Sequence, residues 1–334
     1  MDSNKILQIH WHGRFGNRMF MYAFCNSLAE LNGLTYYIPS EWEGTHLFKN
    51  HERVKIIPDD ELRLHVNQSQ KGMDTKEYRA KAVEYYKQRS QDISLTHVTL
   101  KEERIYDMKN MYYDDLDCMY AGHCHKHMSK DFVKQLFEFN ENVKNSEMYK
   151  EIETLKGTYD LVHLRRGDIS IPSYKGAHSM IAKQCYINAL EHYGFDEKNV
   201  VWISDNYNET SIPTKNEELN AWYQKWLPRT NEGKHKWFYP IGEHKIDDVV
   251  FFDFFIDFLL LKFARTIFRG NSAFSWWGAF LSDASKVYSP ILQSKPSDKK
   301  EKYHVQQDVI FVENNDPHFM GSTGEGFINI KFNE

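Results

Sequence analysis

No stretch of this 334-residue chain reaches the roughly 18 consecutive apolar residues that cross a bilayer. Its start, Met1 to His10, has neither the charged n-region nor the long apolar h-region of a secretory signal. Together these absences lead to the expectation of a cytoplasmic protein, peripheral to a membrane at most. Cysteine is scarce as well. Cys25, Cys118, Cys124 and Cys185 are too few to staple a chain of this size, so no structural disulfide is expected. Basic excess is missing too: 42 Lys and Arg face 47 Asp and Glu, a net charge of −5. Nucleic acid finds no attracting field on such a chain, and an anionic ligand has to be met by local groups. The stretch His12-Gly-Arg-Phe-Gly-Asn-Arg18 lacks the Gly-Lys-Ser/Thr ending of a Walker loop and the third Gly of a dinucleotide loop.

Aromatic residues, by contrast, are plentiful. At 15% of the chain, within 41% hydrophobic residues overall, they exclude a disordered or fibrous protein. The length allows two domains of roughly 150 residues each, and with them a cleft in which chemistry can take place. Ile6–His10 reads as a strand, the Gly-punctuated turn that follows as a loop, Met19–Leu31 as a helix and Leu34–Ile38 as a second strand, an opening β-α-β unit. Tyr159–Leu164, Asn199–Ile203 and Thr266–Arg269 read as strands of a second α/β system with helices between them. The polar stretch Asn145–Gly157 marks the join, giving expected domains of 1–155 and 156–334.

The greasy run Val249–Phe263 carries Asp253 and Asp257 four residues apart, which favours a soluble helix with one wetted face. Thr75–Gln91 is charge-dense with few large aliphatics, as in an exposed helical insertion. The tail, rich in Ser, Pro and Lys at Pro290–Lys302 and in Asn, Gly and Asp at Asn314–Gly326, reads as loops around one strand at Val309–Val312.

Chemistry concentrates at two strand ends. His163-Leu-Arg-Arg-Gly-Asp168 closes the strand at Tyr159–Leu164, where open α/β sheets place ligands. Arginine carries a fixed fork of donors that matches phosphate oxygens, so of Arg165 and Arg166 one can bind an anion while Asp168 holds the other. Residue content alone leaves a surface ion-pair cluster as an equal alternative. Context comes from Asn271-Ser-Ala-Phe-Ser-Trp-Trp-Gly278, again directly after a strand and opening a helix, a turn that presents backbone N–H groups to anions. Ser272 and Ser275 can donate to a diphosphate there, Phe274 can flank a sugar, and Trp276 with Trp277 is better suited to the core.

Taken in order, Gly-x-Phe-Gly-Asn, His-x-Arg-Arg-Gly-Asp and Asn-Ser-x-Phe-Ser-Trp-Trp-Gly-Ala resemble the α-1,2-fucosyltransferases of glycosyltransferase family 11, over roughly Ile6 to Ser282. Asp253–Leu261 is similar to that family's Asp-Phe helix, and Val201-Trp-Ile-Ser-Asp205 to its Phe-Ser-Asp strand end. The resemblance implies a GT-B fold of two Rossmann-like domains facing a cleft, with 1–155 on the acceptor side and 156–334 binding GDP-fucose. It also implies transfer of L-fucose to a glycan hydroxyl with inversion, and no metal or other cofactor. Carried over by position, Arg165 resembles the arginine on the β-phosphate, His163 and Asp205 the pair that meets guanine, and Ser275 a phosphate-binding hydroxyl. Asp168 would orient the arginines. Arg166, Asn271, Ser272 and Phe274 complete the donor side, and Gly16 and Asn17, with Arg14, would face the cleft from the first domain.

Three positions depart from the family pattern. Arg18 replaces the usual Gln, Ala273 the second Ser of a Ser-Ser pair, and Asn206 the second Asp after Ser-Asp. A proton sink for the acceptor hydroxyl is open among His12, His178, Tyr174 and nearby carboxylates. Cys118 to His127 carries Cys118, His123, Cys124, His125 and His127 at close range. Structural zinc usually takes two separated ligand pairs, and the family has a different segment here, so no metal is expected. Gly13–Asn17 also resembles the protein O-fucosyltransferases, and a catalytically silent nucleotide-sugar- or glycan-binding protein is the alternative from outside the enzymes.

Overall fold

Helical periodicity from Phe15 and short strand runs on either side build a β-α-β unit at the start of the chain. The computed structural model describes residues 5–7, 14–33, 35–38, 41–49, 54–56, 97–99, 105–107, 130–167, 169, 180–227, 243–246, 249–292 and 305–313. They fall in two units, Met1–Glu141 and Asn142–Glu334. The expected insertion at Thr75–Gln91 and the Cys118–His127 run lie outside the described residues.

In the first unit, strand β1 (Lys5–Leu7), helix α1 (Phe15–Asn32), strand β2 (Thr35–Ile38), helix α2 (Glu43–Leu47) and strand β3 (Val54–Ile56) follow one another. The three strands form a parallel sheet in the order β1-β2-β3, with Lys5 opposite Thr35 and Tyr36 opposite Val54. Met19, Phe20, Tyr22 and Ala23 of α1 are buried. The helix ends at Gly33, whose φ of +63° is the left-handed conformation that glycine adopts without a Cβ clash. Strands β4 (His97–Thr99) and β5 (Ile105–Asp107) form an antiparallel pair, and helix α3 (Lys130–Leu136) follows. Rings of Phe15, Tyr22, Trp42, Phe48, Phe137 and Phe139 pack on one another, with Phe48 edge-on to Phe137 at 5.0 Å.

The second unit opens with helix α4 (Glu141–Asn145), which straddles the division, and helix α5 (Glu147–Thr154). Strand β6 (Asp160–Leu164), strand β7 (Met180–Ile181), helix α6 (Lys183–His192), strand β8 (Val201–Ser204) and helix α7 (Glu217–Trp226) follow. Then come strands β9 (Glu243–Ile246) and β10 (Val249–Phe252), helix α8 (Phe255–Phe263), strand β11 (Thr266–Phe268) and helix α9 (Ala273–Phe280). Strands β12 (Lys286–Leu292), β13 (Val305–Gln306) and β14 (Val309–Glu313) close the chain. A five-stranded sheet has the order β14-β12-β11-β6-β8. Its pairs are parallel except β14 on β12, so the tail strand expected at Val309–Val312 is an antiparallel edge. Every residue of β6 and β8 is buried, as parallel strands covered on both faces require.

Two expectations need correction. The stretch before Tyr159 was expected as a polar join ending the first domain at 155, whereas α5 packs into the second unit. Trp222 Nε1 donates to the Met148 carbonyl at 3.0 Å and Trp226 Nε1 to Glu151 at 2.7 Å. Its polar look comes from one face of an amphipathic helix whose other face buries Met148, Tyr149 and Ile152. The greasy run at Val249–Phe263 is not one helix: Val249–Phe252, β-branched and aromatic, pairs antiparallel with Glu243–Ile246 before α8 begins. Among the described residues no helix is long and apolar enough to cross a membrane. Gly278 lets α9 lie close on α8, since a Cβ there would come within 2.6 Å of Leu261 Cδ1.

Candidate functional site

Strand order locates the site. From β6 the chain passes to β8 on one side of it, then returns to β11 on the other side. The carboxyl ends of β6 and β11 therefore flank a topological switch point, the crevice where open α/β sheets hold ligands. His163–Gly167 leaves one of these strand ends and Gly270–Ser275 the other. The two sequence runs, 106 residues apart, touch where Arg165 Nη1 donates to the Asn271 carbonyl at 3.4 Å.

Alternation along β6 sends Val162 and Leu164 into the cluster with Tyr186, Trp202, Phe268 and Phe311, and His163 to the opposite face. There the buried imidazole lies 5.7 Å from the Phe274 ring. It also lies against Gly270, where a Cβ would sit 2.8 Å from His163 Nδ1 and 2.8 Å from the His163 carbonyl oxygen. Phe274 is further ringed by Phe254 and Phe258 at 6.0 and 5.5 Å. Phe254 and Phe274 are only half-buried, so this aromatic group borders solvent beside the strand ends.

The turn after β11 is held by its own side chains. Ser272 caps α9, its Oγ accepting from Phe274 N at 3.2 Å. The expected phosphate-binding role of Ser275 meets a different geometry: Ser275 is fully buried, and its hydroxyl lies within donating distance of the Gly270 carbonyl at 3.1 Å and the Ser272 carbonyl at 3.3 Å. Its hydroxyl hydrogen is directed onto main-chain carbonyls, so here it fixes the turn from below. Trp276 and Trp277 are both in the core, as their size suggested.

Arg165 is half-buried and Arg166 buried. The arginine that is held is Arg166, and a carboxylate that holds it is Glu209, which accepts from Arg166 Nε at 3.1 and 3.0 Å. Asp168, expected in that role, lies outside the described residues. Asp205 Oδ1 accepts from the Arg166 backbone N–H at 2.6 Å, so its carboxylate is engaged with the loop that carries both arginines. Gly16 and Asn17 belong to the first unit, in the opening turn of α1, where the Asn17 N–H donates to the Arg14 carbonyl at 2.9 Å. Next to them Arg18, the departure from the family pattern, is buried with both Nη1 bonds on Glu43, at 3.0 and 2.9 Å, and ties α1 to α2. Among the described residues no cluster of three or more His, Cys, Asp or Glu could hold a metal ion.

Besides Glu209, three residues beside the site carry no role in the sequence reading. Gly270 carries the close approach of β11 to His163, and its only signal is a glycine directly before Asn271. Arg269, buried at the end of β11, donates from Nε to Ser289 Oγ at 2.7 Å; burial lowers its pKa to about 10, so it stays charged at neutral pH. Asp257, in the first turn of α8, was noticed but read only as a wetted face. Burial, then the charge of Asp205, pushes its carboxyl up from 3.8 to about 8.

Between about pH 4 and 8 the folded chain keeps a proton on Asp257 that the unfolded chain has released, so this group's contribution is full below pH 4 and is lost as pH rises towards 8. Asp257→Asn removes the titration. Its melting temperature relative to wild type should be higher at pH 8.5 than at pH 5, by roughly 2–4 °C, taking about 1 kcal/mol after screening of a part-exposed group. Thermal melts of both proteins across that range check it; a difference independent of pH would contradict it.

No family model matches the chain. The O-antigen biosynthesis glycosyltransferase WbnK of Escherichia coli is 24% identical over 158 residues, 46% of this chain and 45% of that protein. The match thus spans less than half the length of that curated relative. Among solved structures, the NodZ α-1,6-fucosyltransferase soaked with GDP-fucose aligns over 93% of this chain and 99% of its own, at 13% identity and a TM-score of 0.42. The fucosyltransferase NodZ from Bradyrhizobium aligns over 94% and 100%, at 14% identity and a TM-score of 0.43.

Proposed function

We propose that this chain is a GT-B glycosyltransferase that moves L-fucose from GDP-fucose to a glycan hydroxyl, α-1,2 to galactose, with inversion and without a metal. The observation that carries the reading is the meeting of Arg165 with the Asn271 turn at the topological switch of the parallel sheet. The motif order gives the sugar and the nucleotide, and partial identity to an O-antigen glycosyltransferase supports sugar transfer in general.

In this reading the acceptor hydroxyl gives its proton to a general base and attacks the anomeric carbon of fucose while the bond to the β-phosphate oxygen breaks, and GDP leaves with one more negative charge. A guanidinium fork stabilises the diphosphate oxygens as that charge grows, a task that many transferases give to a divalent cation. Arg165, part-exposed at the strand end, is placed for it. Arg269 adds a buried positive charge to the same end of β11. Guanine presents an N1–H and an exocyclic amine, both donors, and therefore calls for carboxylate acceptors. Asp205 is the expected one; Asp257, which feels its charge, keeps its proton at neutral pH, while His163 and Phe274 offer rings to the base or sugar.

The test is an acceptor panel: GDP-fucose with β-galactosides, other glycans and peptides, with products identified by mass and linkage. The reading expects fucosylated galactoside with an α-1,2 bond. A fucosylated peptide would move the function to protein O-fucosylation, which the Gly13–Asn17 run also resembles. Tight GDP binding without any product would leave a nucleotide-sugar-binding protein.

A further inference from the structure

The peptide unit that joins Arg165 to Arg166 is clamped at both ends. Its N–H, the Arg166 amide, donates to Asp205 Oδ1 at 2.6 Å. Its carbonyl, that of Arg165, accepts from Arg166 Nη1 at 3.1 Å. The guanidinium of Arg166 thus folds back over its own peptide, and the same Nη1 donates onward to the Ile181 carbonyl at 3.0 Å. What anchors its other side is Glu209, whose two oxygens accept from Nε. The arginine side chain is 8% exposed and that of Glu209 28%, so a mostly buried cation is balanced by a carboxylate at the rim.

Asp205 and Glu209 both belong to the turn that leaves β8, so one short segment fixes the two ends of the peptide that follows Arg165. Asn206 ties that segment together. Its Nδ2 donates to Glu209 Oε1 at 3.3 Å and its backbone N–H to Ser204 Oγ at 3.0 Å. An aspartate at 206 would set a second negative charge against Glu209, whereas the amide supplies a donor. The departure at Asn206 and the presence of Glu209 are thereby explained by one contact.

We propose that Glu209, assisted by Asn206, is a positioning residue for the transfer reaction, acting through Arg166 to fix the main chain from which the Arg165 guanidinium is launched. The proposal rests on the reading of Arg165 as the diphosphate ligand. Holding both ends of the peptide fixes ψ of Arg165. Misplacement by about 1 Å of a group that must meet charge in the transition state can cost roughly 100-fold in rate.

The experiment uses the full chain with Glu209→Ala and the milder Glu209→Gln, each also in an Arg165→Ala background. Two quantities are read: hydrogen exchange of the 164–167 segment, and GDP affinity with kcat for GDP-fucose. Glu209→Ala should lose at least tenfold protection in that segment while β11 and β12 keep theirs. Its kcat should fall about 10- to 100-fold, with Glu209→Gln intermediate because one acceptor oxygen remains. In the Arg165→Ala background the further loss should be under about twofold, since residues acting as a unit are not additive. Unchanged local exchange, or the full loss added on top of Arg165→Ala, would overturn the proposal. If Glu209→Ala does not fold, the same comparison is made with Glu209→Gln. A wild-type protein that binds no GDP would overturn the functional reading, and local exchange would then decide the brace by itself.

Discussion

Replacing Arg165 by alanine should lower kcat for transfer from GDP-fucose by about 10²–10³-fold, the usual cost of removing a donor aimed at developing transition-state charge. GDP affinity should fall less, because in the proposed reaction the charge that matters most grows as the bond to fucose breaks. Stability should change little: the side chain is half-buried, and its bond to the Asn271 carbonyl is long at 3.4 Å. Arg165→Lys keeps a charge but not the fork, and should recover only part of the loss. Steady-state kinetics of the three proteins, beside a thermal melt, check this. Equal loss of fold and rate would instead place Arg165 in the scaffold.

Gly270→Ala should be the most damaging single methyl in the site. The new Cβ would meet the His163 carbonyl oxygen at 2.8 Å and its Nδ1 at 2.8 Å, and the Tyr186 hydroxyl at 3.4 Å. A flexible side-chain tip could swing away, but the first contact is backbone of β6, a central strand paired on both sides to β11 and β8. Overpacking of this kind costs about 1–3 kcal/mol. Relief by parting β6 from β11 would also move Arg165 away from Asn271, so activity should fall further than stability requires. Denaturant unfolding and kcat on one preparation check both parts; a variant with wild-type stability would contradict the close approach.

Most of the second unit's sheet could be read from its sequence, because buried parallel strands are continuous apolar runs. Asp160–Leu164 and Thr266–Phe268 lie within the expected strands, and Val201–Ser204 overlaps its own and runs one residue past it. Their spatial order was not legible, since nothing in a strand's own residues says which neighbour it will pair with, and the switch point at β6 and β11 emerges only from that order. The two motifs were legible as runs with donors at strand ends. Which donor faces outward was not. Ser275 belongs to the same motif as Ser272, yet the pitch of α9 directs its hydroxyl onto the Gly270 carbonyl. Glu209, 43 residues beyond Arg166, became its partner through the pairing of β6 with β8. Asp257 shows a different limit: its spacing from Asp253 reads as a wetted face, while burial, and then the charge of Asp205 on another element, raise its carboxyl pKa.

Release of GDP from GDP-fucose in the presence of a β-galactoside and excess EDTA, measured for wild type and Arg165→Ala together, tests the central claim most directly. The predicted result is acceptor-dependent turnover by the wild type that EDTA leaves intact and that the substitution reduces by at least about 100-fold. Wild-type turnover that vanishes with EDTA, or turnover that Arg165→Ala leaves unchanged, would contradict an arginine-stabilised leaving diphosphate.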